Sequence, residues 1–123
     1  FIEKNQEVID YFSTIEPHLG EGLPAENQIG EITADMGGMS LVLETLEQKG
    51  AVDYEKAFKT YTELWGEVLD ADIAEKLLQN DVHPPKYVRV NGIAQQFEQF
   101  YQTYGVQEGD AMYLAPEKRV SVW

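Results

Sequence analysis

The chain has 123 residues, and its 22 Asp and Glu against nine Lys and Arg give a net charge of −13. This length suits one domain, and the negative field repels phosphate backbones, so we expect no nucleic-acid partner. No apolar run is long enough to span a bilayer, so no membrane partner is expected. The chain has no Cys, which excludes disulfides, thiolate zinc sites and cysteine catalysis and fits a reducing compartment.

The first half of the chain predicts two helices separated by a loop. Apolar residues recur at helical spacing over 1–15, and Pro17 should end that helix. Residues 20–27 are rich in Gly and Pro, which is typical of a loop. A second helix should begin within 28–31 and end at a C-terminal cap on Gly50. Its predicted buried stripe consists of Ile32, Met36, Met39, Leu43 and Leu46.

Two adjacent glycines, Gly37 and Gly38, interrupt the second predicted helix. Each should cost about 1 kcal/mol relative to Ala. Either another backbone passes close to this point or the helix is kinked, and the sequence leaves both open.

The middle of the chain predicts a third and a fourth helix. Asp53 is a good N-cap for the third helix, and Asp72 is predicted to cap a shorter one that runs to Leu78. The third helix has an aromatic-rich face, which we interpret as core because such stripes usually are. This face comprises Phe58, Tyr61, Trp65, Val68 and Leu69.

The last part of the chain predicts extended segments around one more helix. Pro84 and Pro85 force an extended chain after His83, and residues 86–90 alternate like a short strand. A helix should then begin at 91–92 and end at Gly105, and residues 119–123 should be extended. The inward face of that helix is predicted to hold Ile93, Phe97, Phe100, Tyr101 and Tyr104.

The strongest functional signal is a pair of carboxylates, Glu31 and Asp35, four residues apart. On a helix this spacing puts both on one face, one turn apart. One carboxylate can then hold a metal while the other orients a neighbouring ligand. A lone Glu-x-x-x-Asp is common, and each acid would usually be a solvated helix residue. The pair gains weight from three segments that follow in order, 81–92, 108–113 and 118–123.

Together these segments closely resemble the C-terminal part of the neprilysin family of zinc endopeptidases, from Phe1 to the last residue. The family motif is of the type Glu-Asn-Ile-Ala-Asp, and here it reads Glu-Ile-Thr-Ala-Asp, with Ile32 in place of Asn. The resemblance implies a mainly α fold, the helical C-terminal part of a gluzincin-type catalytic domain. It also implies zinc as the cofactor and small peptides as substrates.

Four site residues follow from the resemblance. Glu31 matches the glutamate zinc ligand, and Asp35 matches the aspartate that orients a zinc-bound His. His83 matches the histidine that donates a hydrogen bond to the oxyanion, and Arg89 matches the arginine that pairs with the aspartate and contacts a substrate carbonyl. The plainer alternatives are a loop histidine packed on prolines and a surface arginine. The other histidine, His18, is interpreted as structural or solvated.

The chain contains no His-Glu-x-x-His motif and does not begin with Met. We therefore expect residues 1–123 to be a single partial domain, the C-terminal portion of a longer, bacterial and cytoplasmic enzyme, with a secreted or surface location left open. Catalytic zinc takes three protein ligands, so the isolated chain should bind no zinc and be inactive.

Two other functions compete with this interpretation. A non-catalytic helical interaction module, such as a homodimer, would self-associate through exposed core surface. An acidic cation-binding domain is a weaker alternative, because the sequence has no Asp-x-Asp-x-Asp-Gly loop.

Overall fold

A computed structural model describes residues 2–15, 22–50 and 52–123. Its described part is mainly helical, as the sequence predicts, and contains no strand. None of the helices in this part combines the length and the apolarity that crossing a membrane requires. The helices, in chain order, are α1 (Ile2–Phe12), α2 (Ala25–Lys49), α3 (Tyr54–Trp65), α4 (Ala71–Asn80), a π-helical turn (Val88–Gly92), α5 (Glu98–Tyr104) and a short 3₁₀ turn (Pro116–Lys118).

The long helix α2 is the element on which the others pack. It contacts both α1 and α3, and α3 in turn contacts α5 and the π-helical turn. Four of the five residues of its predicted apolar stripe are buried, and Leu46 is half-buried. The core between α3 and α5 is aromatic, with the rings of Phe58 and Phe100 edge to face at 5.9 Å.

Several predicted helix ends are confirmed. Gly50 and Gly105 cap α2 and α5 in the left-handed region, with φ of 66° and 64°. The Asp53 side chain accepts a hydrogen bond from the Lys56 N–H at 3.0 Å at the start of α3. Residues 119–123 are non-helical, and Arg119 is extended, as predicted.

Other boundaries were wrong. The helix α2 begins at Ala25, so the predicted loop ends three residues early. The helix α4 begins at Ala71 after Asp70, so Asp72 is inside it rather than its cap. The helix α1 ends at Phe12, and Pro17 and His18 lie outside the described residues. The aromatic face of α3 ends with the helix, since Val68 is 99% exposed.

The prediction of an extended segment at 86–90 was also wrong, because residues 86–94 are helical and include the π-helical turn. The alternation of apolar residues favoured a strand, but no strand in the described chain is available as a partner. The helical turn satisfies the backbone locally instead: the N–H groups of Val88 and Arg89 both donate to the carbonyl of Pro85. The helix predicted to begin at 91–92 therefore begins earlier and is interrupted before α5, and Tyr104 is exposed.

The C-terminal tail returns to α2. The indole N–H of Trp123 donates to the hydroxyl of Ser40 at 3.3 Å. A Cβ on Gly37 would lie 3.4 Å from the Trp123 ring, whereas one on Gly38 would meet nothing within 4 Å. The close neighbour of Gly37 is therefore a side chain rather than a backbone, and α2 continues through both glycines.

Candidate active site

The candidate site lies where one face of α2 meets the segment 81–92. Glu31 and Asp35 lie one turn apart on that face, and Gln28 lies one turn before Glu31. The segment begins directly after α4 and brings His83 and Arg89 to the same face. The structure thus brings together the four residues that the sequence singled out.

Arg89 and Asp35 form a buried ion pair with two parallel hydrogen bonds. Arg89 Nε donates to Asp35 Oδ2 at 2.6 Å, and Nη2 donates to Oδ1 at 2.7 Å. Their side chains are only 6% and 9% exposed. The hydrogen bond to Asp35 raises the pKa of Arg89 above its ordinary value. Arg89 therefore stays charged and holds Asp35 in one orientation.

Two aromatic residues of α3 enclose this pair. The Arg89 guanidinium lies over the Trp65 ring, 3.9 Å from its centroid. The Tyr61 hydroxyl donates to the carbonyl of Arg89 at 3.0 Å. Burial raises the pKa of Tyr61, and the nearby charge of Asp35 raises it further, so the phenol remains a donor. The sequence pattern predicts both residues to be core, and their i, i+4 spacing indicates only that they share one face of α3.

Glu31 is held on one side and open on the other. Its Oε2 lies 3.2 Å from Arg89 Nη2 and 3.7 Å from His83 Nε2. Its side chain is 37% exposed, four times the exposure of Asp35. The two acids of the motif therefore differ in environment, since Asp35 is enclosed by its arginine while Glu31 can reach an external partner.

The orientation of His83 is set by Asp81. Asp81 Oδ1 lies 2.5 Å from His83 Nδ1 and also accepts the backbone N–H of His83 at 3.0 Å. These hydrogen bonds lower the pKa of Asp81. A carboxylate at Nδ1 favours a proton on that nitrogen. The other nitrogen, Nε2, is the one that approaches Glu31, and the ring is 46% exposed. Asp81 is not among the predicted site residues, although its place two residues before His83 is a usable signal.

The donor set fits one ligand of a zinc site. Within 2–15, 22–50 and 52–123, no three His, Cys, Asp or Glu side chains are grouped so that they could hold a metal ion. Asp35 is bonded to Arg89, and Asp81 to His83. Glu31 has the exposed carboxylate, and carboxylate oxygen is an accepted zinc ligand.

Comparisons with known proteins assign the chain to a family. The model for Peptidase family M13 matches residues 1–120. The chain therefore belongs to Peptidase family M13, the neprilysin family.

Individual relatives agree with this assignment. The neutral endopeptidase of Lactococcus lactis subsp. lactis (strain IL1403) is 34% identical over 125 residues, which span all of this chain and 20% of that protein. The structure of PepO from Lactobacillus rhamnosis HN001 has a TM-score of 0.88 at 30% identity, over 100% of this chain and 20% of that one. The structure of the zinc metalloprotease ZMP1 of Mycobacterium tuberculosis in complex with an inhibitor has a TM-score of 0.87 at 28% identity, over 99% of this chain and 21% of that one. The chain spans about a fifth of the curated relatives it matches.

Proposed function

We propose that this chain is the C-terminal catalytic segment of a zinc-dependent endopeptidase that hydrolyses peptide bonds in small peptides. In this proposal residues 1–123 form a single partial domain. One observation carries it: the Arg89 guanidinium contacts both Glu31 and Asp35, with His83 Nε2 3.7 Å from Glu31. Such an arrangement is difficult to explain as four solvated surface residues.

Glu31 would supply one of the three protein ligands to zinc. When bound, zinc polarises the scissile carbonyl and lowers the pKa of a bound water. Both oxygens of Asp35 accept hydrogen bonds from Arg89, and a carboxylate oxygen can accept more than one. Asp35 can therefore also accept the N–H of a histidine from another part of the protein and fix its tautomer.

His83 and Arg89 would act on the substrate. His83 is held at Nδ1 by Asp81 and is half-exposed at Nε2. In the imidazolium form both ring nitrogens carry a proton, so Nε2 can then donate a hydrogen bond to the developing oxyanion. Arg89 uses Nε and Nη2 for the two carboxylates, which leaves Nη1 for a substrate carbonyl. Trp65 covers one face of the guanidinium, and the Tyr61 hydroxyl holds the Arg89 carbonyl.

The first test is metal content and peptide hydrolysis of the longer protein that we propose contains this chain. Glu31→Ala should lose zinc and activity together. Glu26→Ala is the matched control, since Glu26 is an exposed acid in the first turn of the same helix, and it should keep both. Equal zinc content in Glu31→Ala and the unaltered protein would contradict the assignment of Glu31.

The isolated chain provides a second measurement. After dialysis against micromolar zinc, we expect mass spectrometry to find no stoichiometric metal and assays to find no peptide hydrolysis. Stoichiometric zinc that disappears in Glu31→Ala would mean that the chain builds a complete site by itself, for example as a dimer.

An alternative is a non-catalytic interaction module that forms a homodimer. It is favoured by an apolar groove between α2 and α3, lined by Met39, Val42 and Leu64 among others. Val42 is 48% exposed and Leu64 is 72% exposed. Light scattering separates the two ideas, because a monodisperse monomer argues against the dimer.

We also propose a bacterial cytoplasmic location for the longer protein. Its supports are the bacterial relatives and the absence of Cys. Peptides are its proposed partners, because the matched relatives are named endopeptidases.

A further inference from the structure

Gln28 connects α2 to the backbone that carries His83. Its side chain is fully buried, and its Nε2 donates to the carbonyl of Asp81 at 3.4 Å and to that of His83 at 3.3 Å. These two carbonyls flank Val82, so one amide group holds both sides of the turn from which the imidazole projects.

The contact completes a regular pattern on α2. In three successive turns of one helix face, Gln28 holds the backbone around His83, Glu31 contacts His83 Nε2 and Arg89, and Asp35 binds Arg89. Gln28 lies 53 residues from Asp81 and 55 residues from His83 in the sequence. Without it, the place of His83 over α2 would depend on the intervening helices and on the Arg89 ion pair.

Stability alone gives a weak reason for an amide at this position. The Oε1 of Gln28 is buried and has no hydrogen-bond partner among the described residues, and such an atom retains its desolvation penalty. The two acceptor carbonyls belong to residues that are half-buried or exposed, so water can replace the amide there. What an apolar residue of the same size lacks is the directed N–H.

We infer that Gln28 is a positioning residue that fixes the His83 imidazole relative to Glu31. This inference rests on the proposed function, in which His83 donates to the oxyanion. Removing such a donor costs roughly 10²–10³ in kcat, and a displacement of about 1 Å can cost on the order of 10². If His83 is held less firmly, the enzyme should therefore lose part of the rate enhancement that the His83 donor contributes to kcat.

The test uses Gln28→Met in the longer protein, with Gln28→Leu as a second variant. Both remove the donor, and Met keeps the length of the side chain. We expect kcat to fall roughly ten- to hundredfold, with KM for a small peptide and zinc content unchanged. Gln96→Met is the matched control. Gln96 is also buried and makes two hydrogen bonds, to Gly92 and Val120, and its loss should leave kcat unchanged.

A double-mutant cycle decides whether Gln28 acts through His83. In a His83→Ala background, Gln28→Met should cause no further fall in kcat, because the donor that it positions is gone. Multiplying losses, or an unchanged kcat in both folded Gln28 variants, would overturn the inference while leaving the proposed function standing. An active enzyme in which His83→Ala has no effect would overturn both.

Discussion

The ion pair between Arg89 and Asp35 is the contact whose loss we expect to destabilise the chain most clearly. Asp35→Asn keeps the shape of the side chain but removes its charge, and it turns one acceptor into a donor that faces the guanidinium. The two side chains are 6% and 9% exposed, so little solvent can take the place of the lost partner.

The magnitude follows from that burial. Removing one partner of a buried ion pair costs about 3–5 kcal/mol. Glu31 lies 3.2 Å from Arg89 Nη2 and the Trp65 ring covers the guanidinium, so we take the lower end, about 3 kcal/mol. For a chain of 123 residues, each kcal/mol corresponds to a fall in Tm of about 4 °C, which gives about 12 °C.

The assay is thermal and urea unfolding followed by circular dichroism. Glu98→Gln is the matched control, because Glu98 also pairs with an arginine at 2.6 Å but is 59% exposed. An exposed pair of this kind contributes at most about 1 kcal/mol. If the two variants lose the same free energy of unfolding, burial does not decide the strength of the Arg89 pair and the reasoning fails.

Three further predictions concern stability. The pKa of Tyr61 is raised by burial, so the unfolded state loses its phenol proton first. The free energy of unfolding should not depend on this phenol below about pH 10 and should fall as the pH rises above 10. In Tyr61→Phe that fall should be shallower. If urea unfolding over a pH series gives the same slope for both proteins, the prediction is contradicted. Gly38→Ala should raise the free energy of unfolding by about 0.5–1 kcal/mol, because a Cβ there meets nothing within 4 Å. Gly92→Ala should lower the free energy of unfolding, since its Cβ would lie 3.1 Å from Phe12 Cε1. If calorimetry shows that both Gly variants change stability in the same direction, the argument is refuted.

Local rules predicted those parts of the fold that neighbouring residues decide. Gly50 and Gly105 end helices because the left-handed conformation there costs Gly little. Asp53 caps α3 through its own side chain. The stripe on α2 followed from helical spacing alone, and so did the shared face of Glu31 and Asp35.

Local rules failed where distant packing overrides a pattern. Residues 86–90 alternate like a strand, yet Val88 and Arg89 are both buried, on a π-helical turn. No local feature of the sequence indicates that the backbone of residues 86–90 lacks a strand to pair with. Trp65 is predicted to be core because its spacing indicates a buried helix face. That spacing does not indicate that the Arg89 guanidinium packs on the Trp65 ring.

The candidate site divides in the same way. The sequence by itself predicted which residues should carry its chemistry, because Glu31, Asp35, His83 and Arg89 stand in recognisable motifs. Only the tertiary structure decided their unequal environments and their supports. It enclosed Asp35, left Glu31 open and tied the turn that carries His83 to α2 through Gln28. A motif specifies residue types and spacing along one element, whereas the burial of Asp35 and the contacts of Glu31 and Gln28 depend on residues more than fifty positions away.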